Sequence, residues 1–291
     1  MAMIDGKICL VTGGTSGIGK EIAIGLAKME GSVVLVGRDE AKCEAVVKEI
    51  TQRLANHDIS VSFLIADLSS QSSIKKMAQE YRDKHQHLDI LVNNAGVFKA
   101  RHEITKEGIE YTFAVNHLAP FLLTSLLIDR LKASSNSRIV TTSSIAHRGA
   151  RIDFDDLQFN RKRYNGIKAY GQSKLANILF TRELARRLEG TGVTANCFHP
   201  GGVRTNLARD NPWYYRLIWY VATAFLTSSE KGADTGIYLA SSPELKGITG
   251  KYFVKRKDTI PSLAARDQAA ALRLWDVSEK LTGINSMSNN L

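Results

Sequence analysis

Cysteine is scarce in this chain of 291 residues. The three cysteines, Cys9, Cys43 and Cys197, are far apart, and none belongs to a Cys-x-x-Cys pair or a cysteine–histidine cluster. This pattern argues against a disulfide framework and a zinc site, and none of the seven histidines has the spacing of a metal ligand. We therefore expect no bound metal and a reducing, cytoplasmic setting.

Long apolar runs are missing as well. We find no run of about 18 uncharged, exclusively apolar residues, which argues against a membrane-spanning helix. At the N-terminus, Asp5 precedes the first apolar run, so we expect no signal peptide. The sequence also contains no linker, repeat or low-complexity segment, and we expect a single domain over residues 1–291.

Acidic residues are outnumbered by basic ones, and the net charge is +10. Such a charge favours attraction to phosphates, anionic lipid or nucleic acid. The basic clusters at 161–163, 186–187 and 255–257 are short and scattered, and they match none of the motifs of a nucleic-acid binder. We expect no nucleic-acid partner.

The chain is rich in short apolar strands that alternate with helix-period segments. Strands are predicted at 7–12, 32–37, 61–66, 90–93, 138–142, 193–199 and 250–254. Helices are predicted at 17–30, 40–54, 70–85, 105–132, 168–189, 229–241 and 261–282. Such alternation indicates β-α-β units with helices on both faces of a parallel sheet. We predict an α/β fold, a single-domain Rossmann-type doubly wound parallel sheet of about seven strands.

A glycine-rich turn lies between the first strand and the first helix, where a dinucleotide-binding loop belongs. Glycines there permit a tight turn and let the backbone approach a pyrophosphate at the helix N-terminus. The spacing is G-x-x-x-G-x-G, and a simple turn is the alternative interpretation. The candidate contacts are Gly13, Thr15, Ser16, Gly17, Ile18 and Gly19.

The end of the second strand bears on which cofactor binds. An acidic residue there would receive the ribose hydroxyl of NAD, but the strand ends in Gly37 followed by Arg38. This leaves room and positive charge for the 2′-phosphate of NADP. The competing Asp39 suits a helix N-cap. We expect NADP(H), with NAD(H) as the alternative.

Tyr170 and Lys174 lie one helical turn apart. Residues at i and i+4 share a helix face, so the Lys174 ammonium can approach the phenol and lower its pKa from the ordinary value near 10. A tyrosine tuned in this way can act as a general acid or base. Taken alone, such a pair is more often a solvated helix face.

Together with the glycine turn, this pair belongs to a series of motifs that resembles the short-chain dehydrogenase/reductase family over nearly the whole chain. The elements appear in the family's order: Thr12-Gly13…Gly17-Ile18-Gly19, Asn93-Asn94-Ala95-Gly96, Asn116, Ser144, Tyr170…Lys174 and Pro200-Gly201. Details that look like the retinol dehydrogenase branch are Asn116-His117-Leu118, Ser143-Ser144-Ile145-Ala146-His147, Ser173-Lys174-Leu175-Ala176-Asn177, His199-Pro200-Gly201 and Arg273-Leu274-Trp275-Asp276.

The resemblance implies a catalytic role for four side chains. Tyr170 would exchange a proton with the substrate oxygen, and Lys174 would bind the nicotinamide ribose and lower the tyrosine pKa. Ser144 would donate a hydrogen bond to the reacting carbonyl, where negative charge develops. Asn116 would hold a water behind Lys174 in a proton relay.

The resemblance also implies cofactor contacts beyond the glycine turn. Asp67 would meet the adenine, although it could instead cap the next helix. Asn93 and Gly96 would support the adenosine side, although their segment could be only a turn. Thr205 would contact the nicotinamide end or simply cap a loop helix. The full set is Arg38, Asp67, Leu68, Asn93, Ala95, Gly96, Tyr170, Lys174, Pro200, Gly201, Val203 and Thr205.

Two details depart from the common family pattern. Ser144 and Tyr170 are 26 positions apart (170 − 144) because of a charged, aromatic insert at about 148–167, and position 16 is a serine rather than a basic residue that would favour NADP. Adjacent side chains of an extended segment point in opposite directions. Only one of Ser143 and Ser144 can therefore face the substrate; the resemblance to the family selects Ser144, and we expect Ser143 to be structural.

The most aromatic window of the chain is 212–221. It lies within residues 205–228, which we expect to form a lid over an elongated apolar substrate at the carboxyl ends of the strands. Peripheral contact with a membrane is a second interpretation, because tryptophan and tyrosine beside arginine favour the lipid boundary. Ordinary helix packing is the third.

These patterns predict an NADP-preferring oxidoreductase that interconverts an apolar alcohol with its aldehyde or ketone, retinol and retinal being one such pair. Residues 1–100 would mainly hold the dinucleotide, and residues 101–291 would carry catalysis and the substrate. A non-catalytic NADP(H)-binding sensor or scaffold is the alternative. The segment 118–131 is apolar on most sides, so we expect it to be buried either in the core or against another subunit. Because the resemblance implies pairing of the helices at 105–132 and 168–189 across a two-fold axis, we predict a homodimer.

Overall fold

The computed structural model describes residues 4–54, 59–202 and 228–284. Its sheet has the strand order β3-β2-β1-β4-β5-β6-β7-β8, with the first seven strands parallel. The strands are β1 (Ile8–Thr12), β2 (Ser32–Gly37), β3 (Val61–Ile65), β4 (Ile90–Asn93), β5 (Arg138–Thr142), β6 (Thr194–His199), β7 (Tyr252–Val254) and β8 (Lys257–Asp258). The predicted doubly wound parallel sheet is confirmed.

The eighth strand was not predicted. It pairs antiparallel with β7 through a tight turn in which Lys255 and Arg256 both have positive φ, 50° and 61°. Two-residue hairpin turns favour this left-handed backbone because it matches the twist of the strands. The strand is two exposed polar residues long, so it leaves no apolar pattern in the sequence.

Helices cover both faces of the sheet. They are α1 (Gly17–Ala27), α2 (Glu40–Arg53), α3 (Gln71–Lys84), α4 (Tyr111–Lys132), α5 (Gly166–Arg187), α6 (Ser229–Ser241) and α7 (Gln268–Thr282). The central strands are apolar at nearly every position because helices bury both of their sides. Residues of α1, α2 and α6 form the core on one face, and residues of α3, α4, α5 and α7 form the core on the other.

Two helices begin later than their patterns predict, each at a capping carboxylate. The helix predicted from 105 begins at Tyr111, because Glu110 accepts hydrogen bonds from the backbone of Thr112 and Phe113 and so satisfies the free donors of the first turn. The helix predicted from 261 begins at Gln268, and its N-cap, Asp267, accepts from Ala270 N.

Helix α4 contains one π-helical turn, Ala114–Leu118, in which Ala119 N donates to the carbonyl of Ala114. Such single turns inside α-helices occur frequently at functional sites. Here the turn carries Asn116 and His117, and both side chains are fully buried. The helix period of the sequence gave no sign of this extra residue.

The apolar surfaces of α4 and α5 are covered within the chain. Trp275 of α7 stacks on Phe180 of α5 at 6.0 Å between ring centroids and packs edge-on against Phe121 of α4 at 5.0 Å. Arg187 lies over the same indole, 4.3 Å from its centroid. The homodimer stays a prediction, but the apolarity of 118–131 no longer supports it, because this segment is core.

Helix α4 is also the one described helix that is long and apolar enough to cross a membrane. Its most apolar window has a mean hydropathy of 1.4, and 89% of that window is buried against the rest of the protein. The same apolar residues therefore have partners within the fold.

Candidate active site

Hydrogen bonds of the Thr12 hydroxyl and the Asn94 amide connect the end of β1, just before the glycine turn, to the end of β4. Thr12 Oγ1 accepts from the backbone nitrogens of Asn94 (3.0 Å) and Ala95 (3.1 Å), and it donates to Val92 O at 3.2 Å. The Asn94 side chain donates back to Thr12 O at 3.1 Å. Asn93 was predicted as a cofactor contact and Asn94 was not, although the two residues belong to the same motif.

The turn has no room for additional side-chain atoms. Gly13 and Gly17 have positive φ, 66° and 56°, a conformation that glycine adopts at little cost. A Cβ on Gly19 would collide with Gly13 O and with the Asn94 amide. The N-cap of α1, Ser16, is exposed and makes no side-chain capping bond. The free N–H groups of this helix N-terminus suit a phosphate group.

Past the turn, β2 ends where two cations line the cleft. Gly37 packs so closely on Thr15 and Cys43 that a Cβ would lie 2.8 Å and 2.6 Å from their side-chain atoms. Arg38 and Lys42 both line the cleft and are exposed. Asp39 caps α2 by accepting from Lys42 N at 3.1 Å, as predicted, and also pairs with the Lys42 ammonium. Lys42, in the first turn of α2, was not predicted as a site residue.

Asp67 lies in the loop after β3 and lines the cleft. Its Oδ1 accepts from Ser69 N at 2.9 Å and from Ser69 Oγ at 2.7 Å. Helix α3 is capped by Ser70, which accepts from Ser73 N. Of the two roles considered for Asp67, the helix cap is therefore wrong, and as a residue of the cleft lining it stays a candidate contact for the cofactor.

Asn93 is not at the cleft. It is 2% exposed, and its Nδ2 donates to Thr124 Oγ1 of α4 at 3.1 Å. Because side chains of a strand alternate between the two faces of the sheet, Asn93 faces the helix layer and its neighbour Asn94 lines the cleft.

The two serines after β5 divide their roles as predicted. Ser143 is 1% exposed, and its hydroxyl donates to Lys174 O at 2.8 Å, which ties β5 to α5. Ser144 lies at the cleft, where its Oγ accepts from Ala146 N at 3.2 Å. The proton of the Ser144 hydroxyl is not used in that bond, and this hydroxyl lowers the pKa of Tyr170.

Tyr170 and Lys174 line the inner end of the cleft from α5. The Lys174 Nζ lies 5.6 Å from the centroid of the Tyr170 ring and donates to Thr142 O at 3.1 Å. Burial of the charged form raises the pKa of Tyr170 to about 12, against a lowering by the Ser144 hydrogen bond. Burial lowers the pKa of Lys174 to about 8.

The expected lowering of the Tyr170 pKa by Lys174 is therefore wrong for the protein's own groups. Desolvation of the phenolate is the largest influence on the pKa of Tyr170, and the Lys174 ammonium is itself destabilised by burial. At neutral pH these groups hold Tyr170 as a phenol, which can donate a proton.

Asn116 stands one layer behind the cleft. Its amide exchanges two hydrogen bonds with the backbone of Val97, at 2.7 Å and 3.0 Å, and donates to Ser173 Oγ at 2.9 Å. A Cβ on Gly96 would lie 3.4 Å from both Asn116 Oδ1 and Lys174 Nζ. Asn116 thus holds the loop after β4 against α5. Its water-binding role stays a prediction.

Most of the predicted site residues meet in one cleft of about 610 Å³ formed by described residues. Those lining it are Gly13, Thr15, Ser16, Gly17, Ile18, Arg38, Asp67, Leu68, Ala95, Gly96, Ser144, Tyr170, Lys174, Pro200 and Gly201. Gly19, Asn93 and Asn116 lie behind its walls. Val203, Thr205 and the aromatic window 212–221 fall outside the described residues, so neither the lid nor the membrane contact is tested.

An apolar wall adjoins Tyr170. Phe98 packs edge-on against the tyrosine ring at 6.0 Å, and Ile145 and Ile167 line the same end of the cleft with 49% and 75% of their surfaces exposed. The signal for Ile167 was present in the sequence, because it lies three positions before Tyr170 on the same helix face. No group of three metal-ligating side chains occurs within the described ranges.

This geometry is matched by comparisons with known proteins. The model of the short chain dehydrogenase family matches residues 7–213. Retinol dehydrogenase 13 of Homo sapiens is 44% identical over 292 residues, which cover 99% of this chain and 88% of the relative. Retinol dehydrogenase 12 of Mus musculus is 44% identical over 281 residues, covering 97% and 88%.

Solved structures agree in fold. A crystal structure of a protein from Mycobacterium paratuberculosis has a TM-score of 0.78 at 33% identity, covering 98% of this chain and 97% of its own. A short chain dehydrogenase from Burkholderia cenocepacia, in complex with NADP, has a TM-score of 0.67 at 28% identity, covering 86% and 96%. This chain belongs to the short-chain dehydrogenase family, is similar over nearly its whole length to retinol dehydrogenases, and is an NAD(P)-dependent oxidoreductase.

Proposed function

We propose that this protein is an NADP(H)-preferring oxidoreductase that interconverts a lipophilic alcohol and its aldehyde or ketone, with Tyr170 as the general acid and base. The observation that carries the proposal is the meeting of Ser144, Tyr170 and Lys174 at the inner end of the cleft. Phe98 and Ile167 provide an apolar surface beside them. The relatives named for retinol suggest the substrate class.

The cofactor preference is supported by charge. Arg38 and Lys42 stand at the end of β2, where the 2′-phosphate of NADP would lie and where NAD-binding members of this fold carry an acidic residue. Asp39 is occupied in capping α2. The glycine turn and the N-terminus of α1 would hold the pyrophosphate.

The protein's groups would act on the substrate oxygen. A nicotinamide cofactor, when bound, would supply the hydride for the carbonyl carbon. The Ser144 hydroxyl donates to the carbonyl oxygen as negative charge develops there, and the Tyr170 phenol gives that oxygen its proton. The Lys174 ammonium, which donates to Thr142 O and lies 5.6 Å from the centroid of the Tyr170 ring, would face the phenolate that remains once the proton has left. The reverse sequence oxidises the alcohol.

The non-catalytic scaffold is not favoured, because Asn116, Ser144, Tyr170 and Lys174 are all present. We also propose that residues 1–100 mainly hold the cofactor while 101–291 carry catalysis and substrate. A cytoplasmic location, a homodimer and the alternative of peripheral membrane contact through 212–221 stay predictions.

The test is NADPH consumption with all-trans-retinal by the wild type, by Tyr170→Phe and by Tyr81→Phe. Tyr81 is fully buried away from the cleft, with its hydroxyl donating to His87 O, so this control loses a tyrosine hydroxyl without touching the site. We expect loss of about 1,000-fold or more in kcat for Tyr170→Phe, in the range of general-acid effects, and retained turnover for the control.

Equal turnover by Tyr170→Phe and the wild type would contradict the catalytic assignment. Tight NADPH binding without turnover of any carbonyl by the wild type would favour the scaffold instead. Faster turnover with NADH than with NADPH would overturn the cofactor preference alone.

A further inference from the structure

The side chain of His147 is buried next to Ser144 and has no part in the proposed chemistry. His147 ends the short 3₁₀ turn Ile145–His147 that follows Ser144, and it is 0% exposed. Its ring packs edge-on against Tyr252 of β7, at 5.0 Å between ring centroids. Burying a polar ring is costly unless it is hydrogen-bonded, so both of its nitrogens need partners.

Both nitrogens have partners, and the partners fix the position of the proton. His147 Nδ1 lies 2.7 Å from Ser144 O, and a carbonyl oxygen can only accept a hydrogen bond. His147 Nε2 accepts from the backbone N–H of Ser262 at 3.2 Å, which a protonated Nε2 could not do. The geometry therefore requires a neutral imidazole with its proton on Nδ1.

The surroundings of the ring favour the same state. Burial lowers the pKa of His147, against a raising by the bond to Ser144 O, and Arg148 lowers it further. The ring is therefore uncharged at neutral pH. Because both of its nitrogens are bonded to backbone groups, His147 cannot exchange a proton with a substrate while these bonds persist.

The bond to Ser144 O acts on the turn that presents the Ser144 hydroxyl to the cleft. Ser144 O also accepts from His147 N at 3.2 Å, and Ser144 Oγ accepts from Ala146 N at 3.2 Å. Ala146 O lies so close to α5 that a Cβ on Gly171, the residue after Tyr170, would be 2.9 Å from it. The turn thus packs on the helix that carries Tyr170, and a shift of the turn would change the position of Ser144 relative to Tyr170.

On its other side, the turn contacts a segment at 259–263, which follows the hairpin of β7 and β8. Ser262 of this segment donates to His147 Nε2, and Ile260 O accepts from Arg148 Nη2 at 3.2 Å. Two consecutive residues after the serine turn therefore hold the segment. It lies outside the part of the chain that the family model matches.

We propose that His147 is a positioning residue that fixes the Ser144 hydroxyl in the cleft beside Tyr170. Its Nδ1–H holds Ser144 O, and the Ser262 N–H on Nε2 holds the ring in the orientation that this bond needs. A residue 115 positions away in the chain thereby takes part in setting the active site. The catalytic part of the proposal rests on the proposed function of Ser144.

The expected effect follows from what the Ser144 hydroxyl would do. A donor to developing negative charge is effective only when it lies within hydrogen-bond distance of that oxygen. Displacing such a group by about 1 Å can cost about 100-fold in rate. Without His147 the turn keeps its packing on Gly171, so we expect a smaller loss, of about tenfold.

The first test identifies the tautomer and needs no substrate. The full-length protein is labelled with ¹⁵N-histidine, and long-range nitrogen–proton correlation spectra are recorded at neutral pH, with His147→Phe to assign the His147 signals. We expect a protonated Nδ1 and an unprotonated Nε2. A proton on Nε2 would overturn the proposal, whether or not the enzyme reduces any carbonyl.

The second test separates positioning from stability, with NADPH and all-trans-retinal as the substrates. His147→Phe keeps a ring against Tyr252 but loses both hydrogen bonds. His147→Asn supplies an amide nitrogen that is attached to Cγ, as Nδ1 is, and can donate to Ser144 O. We expect kcat to fall about tenfold in His147→Phe and to return to within threefold of the wild type in His147→Asn. The KM for NADPH should stay within twofold in both.

Tyr252→Phe is the matched control. Tyr252 packs on the same ring, and its buried hydroxyl has no hydrogen-bond partner among the described residues. The substitution therefore removes a polar atom beside His147 without changing the bonds of the serine turn, and kcat should equal that of the wild type. A kcat of His147→Phe within twofold of the control, or a His147→Asn variant as slow as His147→Phe, would overturn the positioning role.

If His147→Phe does not fold, Ser262→Pro and Ser262→Ala decide the question. The first removes the N–H that His147 Nε2 accepts, whereas the second keeps this N–H and loses only the hydroxyl. We expect kcat to be about threefold lower in Ser262→Pro than in Ser262→Ala, and equal values would overturn the proposal. Absence of turnover in the wild type would contradict the proposed function but leave the tautomer result standing.

Discussion

The two walls of the cleft are built in opposite ways. At the glycine turn, the wall is formed by backbone and by missing side chains: Gly19 and Gly37 have no space for a Cβ, and a Cβ on Gly13 would lie 3.0 Å from the Cα of Ala95. At the lysine, the wall is backed by buried polar side chains from several elements: Lys174 lines the cleft, Asn177 and His117 lie behind it, and each of the three is at most 2% exposed. The first wall is damaged by adding atoms, and the second by removing hydrogen-bonding atoms.

This difference follows from what each wall is proposed to hold. A phosphate is bound by backbone N–H groups, and these must be approached closely. A proton-transfer site needs charged and polar groups whose positions and pKa values are controlled by burial and hydrogen bonds. Three comparisons of variants would sharpen the contrast.

Adding a single methyl group to the glycine wall should have the largest effect. Gly19→Ala places a Cβ against Gly13 O and the Asn94 amide, so the turn must shift and lose its fit to the pyrophosphate. We expect the Kd for NADPH to rise about 100-fold, equivalent to about 2.7 kcal/mol, measured by the fluorescence of bound NADPH.

The matched control is Gly190→Ala. Gly190 has a φ of 78° but no atom within 4 Å of an added Cβ, so this variant suffers backbone strain of about 1 kcal/mol without a collision. It should bind NADPH like the wild type. Equal losses of NADPH affinity in both variants would mean that general destabilisation, and not the shape of the turn, explains the result.

The buried groups behind the lysine should make the stability of the protein fall at acid pH. Burial lowers the pKa of His117 from 6.5 to about 3. Between these two pH values, the imidazole is protonated in the unfolded chain but neutral in the folded protein. Stability from this group is therefore complete above pH 6.5 and is lost as the pH falls towards 3. Burial also lowers the pKa of His199, to about 4, so His199 adds to the loss of stability at acid pH.

We expect the free energy of unfolding of the wild type to fall between pH 7.5 and 4.5 by about 2 kcal/mol more than that of His117→Phe. Urea denaturation at both pH values measures this difference. Because each protein is compared with itself, the packing change caused by phenylalanine cancels. Parallel pH dependence in the two proteins would show that His117 titrates normally.

The smallest effect is expected at the exposed rim of the glycine wall. Removing Arg38 or Lys42, each by substitution with Ala, should raise the KM for NADPH about tenfold, or about 1.4 kcal/mol, and leave the KM for NADH within twofold. Lys48→Ala is the control, since Lys48 is an exposed cation of α2 that does not line the cleft. A similar loss for both cofactors would argue against contact with a 2′-phosphate.

Much of the glycine wall could be predicted from the sequence, because its residues are close together in the chain and glycines with this spacing have few structural roles other than forming such a turn. The strand–turn–helix order and the spacing of Gly13, Gly17 and Gly19 were sufficient to locate the turn. The error at Asn93 arose from register: adjacent residues of a strand end face opposite sides, and only the structure shows which side is the cleft.

The lysine wall was predicted only in part. The helical spacing of Tyr170 and Lys174 was correct, but the direction of the tyrosine pKa shift was not, because it depends on how completely the surrounding residues exclude water. The contacts of His117 depend on the π turn and on Ser278, which is 161 residues away in the chain.

By itself, the sequence determined the order of strands and helices, the parallel sheet, the glycine-rich turn and the candidate catalytic residue types, since these follow from local periodicity and from residues with narrow conformational or chemical uses. The tertiary structure decided which of two adjacent side chains enters the cleft, how burial sets the pKa of Tyr170 and Lys174, and which distant groups meet behind the lysine. Those properties depend on the exclusion of water and on contacts between remote segments, and neither is encoded in any short stretch of chain.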